Sequence, residues 1–220
     1  MGKLIVLEGT DGSGKSTQME LLGARLEREG KSFRRLRFPQ YEEPSSALIR
    51  MYLAGQFGDK PGDVNPYAAS TFYAVDRFAS YAADWKQAYE SGTLLISDRY
   101  TTSNAVHQGG KLPAEEQETF FRWLYDMEFE KMRLPAPELV IFLDMPTELT
   151  AKLMHRREQD THTHADIHEK DLTYLENCRK TAARAARFYG WKTVHCAEDG
   201  KLRTIEDIHE EIYALVKAYL

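Results

Sequence analysis

The sequence predicts a three-layer α/β fold, a five-stranded parallel sheet with helices on both faces. Three observations carry that expectation. Short apolar runs of strand length alternate with helix-period stretches along the 220 residues. The first run, Lys3–Glu8, passes straight into the glycine-rich stretch Gly9-Thr10-Asp11-Gly12-Ser13-Gly14-Lys15-Ser16-Thr17. That stretch opens a helical pattern from Lys15 to Arg28, with Met19, Leu22 and Leu26 on one stripe.

Gly9, Gly14, Lys15 and Ser16 fit the spacing G-x-x-x-x-G-K-[ST], and the strand before and helix after are the context that this spacing requires. A nucleoside triphosphate brings several negative charges. Glycines at 9, 12 and 14 let backbone N–H groups wrap them closely, and the following helix aims its positive end at the same phosphates. Lys15 is placed to bridge the β- and γ-phosphates and the Ser16 hydroxyl to ligate Mg²⁺. This loop makes the expected architecture that of the P-loop NTPases.

Further along, Gly30 stops the first helix, and Ser32–Phe38 reads as the second strand, ending at Pro39. A helix is expected over Glu42–Leu53, then a loop over Gly58–Gly62. Asn65 caps a long helix that Pro66 enters at its first position and Gly92 ends. Phe72, Val75, Ala79 and Ala82 form its expected core stripe, with Trp85 near that face. Tyr73 and Arg77, four apart, share a neighbouring face; the spacing suits a site and equally a half-buried ring beside a solvated charge.

Thr93–Ser97 is the third strand, and Asp98-Arg99 stands at its C-terminal end, where ligands bind in doubly wound sheets. Asp98 is there placed to hold Mg²⁺ directly or through water, and Arg99 to hold a second phosphate. Pro113–Met132 is predicted helical on Phe120, Phe121, Leu124 and Met127. Glu138–Leu143 is the fourth strand, and Pro146 begins a helix to about Arg157. Glu158–Lys170 is polar, so that a lid is expected over about 147–170. Asp171–Tyr189 reads as a helix, Lys192–Cys196 as the fifth strand, Glu198–Lys201 as a loop and Thr204–Leu220 as the last helix. One domain over 1–220 accommodates all of this. His162, His164 and His168 have a spacing that a metal can use, but the polar stretch lacks a nearby cysteine and reads as a solvated lid.

Composition narrows the function classes. Hydrophobic residues at 42% and charged residues at 29% are ordinary for a soluble globular protein. A net charge of −5 with no basic block disfavours nucleic-acid binding. Apolar runs of about five residues span no membrane. Cys178 and Cys196, without C-x-x-C spacing, read as core thiols of a reducing cytoplasm. A strand starting at Lys3 leaves no room for a signal peptide.

The stretch Glu8–Thr17, Arg37-Phe38-Pro39, Tyr73-x-x-x-Arg77, Asp98-Arg99-Tyr100-x-x-Ser103-Asn104, Leu139–Asp144 and Asp166-x-x-Glu169 together resemble the thymidylate kinases. The resemblance covers essentially the whole chain. It implies transfer of the γ-phosphoryl group of ATP, with Mg²⁺, to dTMP, and a cytoplasmic homodimer. ATP would rest on Gly9, Gly12, Ser13, Gly14, Lys15, Ser16 and Thr17. Asp11 would hold the sugar 3′-hydroxyl region or order the metal and water near the acceptor phosphate, Tyr73 would stack on thymine, Arg77 would bond the base edge and Arg99 would grip the dTMP phosphate. Phe38, Pro39 and Tyr41 would line the acceptor pocket, which Ser103, Asn104, His107 and Glu169 complete.

This chain has Gly12 where some members carry a loop arginine. Members with glycine there supply the basic residue from the lid, which points to Arg156 or Arg157 beside Lys15, Arg99 and Asp11 as the catalytic set. Adjacent helical arginines point about 100° apart, so only one reaches a given phosphate. His107 replaces a tyrosine or phenylalanine beside the deoxyribose, and Tyr73 a phenylalanine. Two other readings share the loop: a deoxynucleoside kinase acting on a sugar hydroxyl, and a nucleotide-dependent switch protein with no acceptor.

Overall fold

The computed structural model of the protein describes residues 1–150 and 172–220. Its five sheet strands are β1 (Lys3–Glu8), β2 (Phe33–Arg37), β3 (Leu94–Asp98), β4 (Leu139–Asp144) and β5 (Lys192–His195). Their order is β2-β3-β1-β4-β5, and every neighbouring pair is parallel. β1 is central. Ile5 lies opposite Ile96 on one side and Leu139 on the other.

Side chains alternate across a strand, so β1 feeds two cores. Ile5 and Leu7 pack with Ile96, Ile141 and Leu143 beneath α1 (Lys15–Arg28) and a C-terminal helix, Ile205–Lys217. Leu4 and Val6 pack on the opposite face with Leu36, Trp85, Leu95, Tyr100 and Val140. A strand covered on both faces reads as an unbroken apolar run, which is why Leu4–Leu7 shows no alternation. The helices α2 (Ala47–Leu53), α3 (Pro66–Ser80), α4 (Gln117–Tyr125) and α5 (Leu172–Tyr189) precede that last helix, α6, in the chain.

Several expectations are adjusted. The long helix after Asn65 is interrupted: α3 passes through a π-helical turn at Tyr81–Trp85 before resuming over Lys86–Glu90. The predicted helix over 113–132 begins at Gln117 and ends in a second π-helical turn, Asp126–Lys131. A third, Asn104–Gln108, follows one turn of helix at Thr101–Ser103. The loop after β5 contains a small antiparallel hairpin, Ala197–Glu198 with Lys201–Leu202, turning at Asp199-Gly200 with both residues at positive φ.

The core stripe assigned to α3 points the wrong way. Val75 is 52% exposed, Ala82 is exposed, and Phe72 and Ala79 are only half-buried. The buried face carries Ala69, Ser70, Ala74, Asp76 and Arg77 instead. This face is mixed: Arg77 lines a polar cavity, whereas Ala69 packs in a small cluster with Tyr52. Asp76 accepts hydrogen bonds from the Gln40 backbone N–H at 2.9 Å and the Ser45 hydroxyl at 2.7 Å, tying the 40–45 loop to the helix.

Candidate active site

The loop between β1 and α1 has the geometry that its glycines require. Gly14 caps α1 at φ 87, a left-handed conformation that costs residues with a Cβ. A Cβ on Gly9 would lie 2.4 Å from Ser13 Oγ, so the turn closes only with glycine there. Lys15 Nζ donates to the carbonyls of Gly9 at 2.7 Å and Thr10 at 3.0 Å. Burial, and then the positive charge of Arg99, push its pKa down to about 8, although Asp11, Glu8 and Asp98 oppose this. A buried ammonium satisfied mainly by carbonyl dipoles is poised for a fuller set of negative charges.

Arg99 stands at φ 66, a conformation that non-glycine residues adopt at a cost of about 1–3 kcal/mol. The turn is over-determined by its surroundings. The Arg99 backbone N–H donates to the carbonyl of Leu7 at 3.2 Å. Its guanidinium donates to Asp11 Oδ1 at 2.5 Å and Ser103 Oγ at 3.2 Å, lies 3.0 Å from His107 Nε2, and is 3.6 Å from Glu8 Oε1. Burial alone would lower its pKa, but the carboxylates of Asp11, Glu8 and Asp98 reverse this and hold the arginine firmly charged.

Glu8 is fully buried at the end of β1 and organises this corner. One oxygen accepts from the Gly9 N–H at 2.8 Å; the other accepts from the hydroxyls of Thr102 at 2.6 Å and Ser103 at 2.7 Å. It thus joins the phosphate loop to the turn that follows Arg99.

A cavity of about 490 Å³ runs between them. The loop from Asp11 to Thr17 lines one part; Phe38, Pro39, Tyr41, Tyr73, Arg77, Asp98, Arg99, Ser103, Asn104 and His107 line the rest. The Phe38–Pro39 peptide is cis. The solvated alternative for Arg77 is excluded, because it is 2% exposed and forms a two-pronged pair with buried Glu128: Nε to Oε2 at 2.7 Å and Nη2 to Oε1 at 2.5 Å. His107 is buried, and its carbonyl accepts from the Tyr174 hydroxyl at 2.7 Å.

Asp98 Oδ1 is buried with no hydrogen-bond partner among the described residues, and its Oδ2 is 4.0 Å from Arg37 Nε. A hard, uncommitted carboxylate oxygen beside a phosphate loop, with the Ser16 hydroxyl exposed on the same cavity, fits a magnesium-type cation held partly through water.

Every expected ATP residue lies on the loop, and every expected dTMP residue among those described lines the cavity. Arg156, Arg157, Asp166, Glu169 and the histidines 162, 164 and 168 lie outside the described residues. Two contributors, Glu128 and Gln108, escape sequence reasoning, and Glu8 stands in the resembling stretch without a role. Glu128 falls at Leu124 plus four, so a carboxylate on the stripe Phe120, Leu124 was its available signal. Gln108, 1% exposed, lines the cavity with Oε1 unpartnered among the described residues. It sits next to His107 and had no separate signal.

A parallel sheet with a phosphate loop after its first strand, opening on a second cationic pocket at the same strand ends, defines a P-loop nucleotide phosphotransferase. The family model for thymidylate kinase matches residues 7–212. The chain is 30% identical to a thymidylate kinase of Mycobacterium tuberculosis over 86% of this chain and 87% of that one. It is 31% identical to a probable thymidylate kinase of Thermococcus onnurineus over 97% and 96%. A solved thymidylate kinase structure from Candida albicans superposes with a TM-score of 0.70 at 20% identity, covering 99% of this chain and 92% of its own. The chain belongs to the thymidylate kinase family.

Proposed function

We propose that the protein transfers the γ-phosphoryl group of ATP to dTMP, giving ADP and dTDP. The observation that carries this reading is the single cavity of about 490 Å³ shared by the phosphate loop, Arg99 and the Tyr73–Arg77 face. One part suits a triphosphate, and the other a second anion bearing a base. A 5′-phosphate oxygen of dTMP attacks the γ-phosphorus and ADP leaves. That oxygen is already ionised near neutral pH, so no protein base is called for, and the chain contributes alignment and charge.

Lys15 would follow the moving phosphoryl group, with the backbone of Gly9, Gly12, Ser13 and Gly14 around the tail and Thr17 beside Ser16. Arg99 would leave Asp11 for the dTMP phosphate, and Asp11 would then order the acceptor side. Tyr73 would stack on the base between Phe38, Pro39 and Tyr41; Ser103, Asn104, His107 and Gln108 would close the nucleoside pocket. Ser16 and Asp98 would hold Mg²⁺, which would supply positive charge to offset that of the phosphates. Arg156 or Arg157 would add the remaining positive charge, and Glu169 would face the nucleotide.

A homodimer in the cytoplasm completes the reading. The outward stripe of Val75 and Phe78 on α3 supports the pairing, since large apolar side chains 52% and 43% exposed on one helix suit an interface. A nucleoside kinase is the second reading; the Arg99 guanidinium, held charged at the acceptor end, favours an anionic acceptor. The deciding assay follows diphosphate formation from ATP·Mg²⁺ with dTMP, dUMP, dCMP, dGMP, dAMP, UMP or thymidine, and with no acceptor. Preferred turnover of dTMP that is lost in Lys15→Ala and Arg99→Ala supports the reading. Turnover of thymidine alone moves the protein to the nucleoside kinases, and acceptor-independent hydrolysis alone to the switch proteins.

A further inference from the structure

We infer that Glu128, which lines no part of the cavity, is the positioning residue that makes the acceptor pocket choose a 4-oxo over a 4-amino pyrimidine; this rests on the dTMP-kinase reading.

Glu128 is fully buried, and four donors converge on it. Oε2 accepts from Arg77 Nε at 2.7 Å and from the Thr101 hydroxyl at 2.7 Å. Oε1 accepts from Arg77 Nη2 at 2.5 Å and from Asn104 Nδ2 at 3.2 Å. An ionised carboxylate accepts and never donates, so it dictates how both partners turn. Arg77 is held by one edge, and among the described residues the remaining nitrogen, Nη1, has a long bond to the Tyr100 carbonyl at 3.4 Å. The Asn104 amide nitrogen is committed behind the cavity wall, to Glu128 and to the Ser70 carbonyl at 3.1 Å. What Arg77 offers the cavity is therefore a donor, and what Asn104 offers is its acceptor, Oδ1.

A donor next to an acceptor matches the O4 and N3–H edge of thymine or uracil. Cytosine presents the reverse, an amino group at C4 and a bare N3, and would meet like against like at both positions. Mismatched polar groups in a closed pocket discriminate more strongly than a difference of shape. Glu128 also sits in the π-helical turn Asp126–Lys131, a local register change of the kind often found at functional sites, which here brings a carboxylate on the α4 stripe over to Arg77.

Glu128→Gln tests this. A carboxamide has one accepting oxygen for four donors, and its NH₂ turned toward Asn104 would flip that amide and present Nδ2 to the cavity. The ratio of kcat/KM for dTMP to that for dCMP is expected to fall at least tenfold, with the KM for dTMP rising more than kcat falls. A wild-type ratio retained in a folded variant, or equal losses for both nucleotides, overturns the inference and leaves the kinase reading intact. A wild-type protein that phosphorylates neither nucleotide overturns both. If Glu128→Gln does not fold, Thr101→Val removes one donor and spares the ion pair. It is expected to lower the same ratio about threefold, and an unchanged ratio overturns the inference.

Discussion

Arg99 Nη2 donates to Asp11 Oδ1 at 2.5 Å, joining the turn after β3 to the phosphate loop across the cavity. The free protein therefore carries its own anion in the place proposed for the acceptor phosphate. Asp11→Asn removes that competitor and is expected to tighten dTMP binding by about tenfold, or about 1.4 kcal/mol, in isothermal titration, while kcat falls. Arg99→Ala is expected to lower kcat/KM for dTMP by about three orders of magnitude, about 4 kcal/mol. Equal dTMP affinity in wild type and Asp11→Asn would show that the pair does not compete with substrate.

Lys15 makes ATP binding pH-dependent. Its folded-state pKa is lowered to about 8 from an ordinary 10.5, chiefly by burial. The free protein loses this proton as pH rises through 8, whereas bound phosphates favour the charged form. Binding above pH 8 is then expected to take up a proton, and affinity to fall by up to tenfold per pH unit. Titrations at pH 9 in two buffers of different ionisation heat would read the uptake, which Lys15→Met should abolish. The unfolded chain keeps the proton longer, so this group makes folding more favourable as pH rises from about 8 toward 10.5.

Gln108 offers a cleaner separation of binding from folding. Its Oε1 is buried and has no hydrogen-bond partner among the described residues, so Gln108→Met removes no hydrogen bond seen there, and the unfolding midpoint is expected to stay within about 2 °C. A nucleotide that supplies the missing donor loses it in the variant, and the KM for dTMP is expected to rise about tenfold. A large drop in the midpoint with unchanged KM would make Gln108 a packing residue only.

The α3 surface predicts an assembly that can be taken apart. Val75→Glu together with Phe78→Glu places two charges on an exposed apolar stripe. Sedimentation equilibrium is expected to show a dimer for wild type and a monomer for the variant. A wild-type monomer would refute the pairing outright.

Where structure departs from expectation, distance along the chain explains the departure. The phosphate loop is a local device: the eight consecutive residues from Gly9 to Ser16, an entering strand and a leaving helix make it readable. Arg77 was legible, but its partner lies 51 residues away in a π-helical turn that no 3.6-residue period describes. For α3 the period identified residues sharing a face without saying which face looked inward. The segment 101–111, helical but broken by a π turn, likewise gave no steady period to read.

The central place of β1 has a consequence for how the molecule comes into being. Its neighbours begin at Leu94 and Leu139, so the strand made first at the ribosome waits longest for company. The nascent Leu4–Leu7 segment has no flanking ladder on one side until residues near Ile141 emerge. Such long-range parallel pairing is slow to form and leaves apolar strand edges open meanwhile. The same strand holds Glu8 opposite Phe142 of β4, so the capacity to grip a nucleotide waits on the strand that closes the second side of β1.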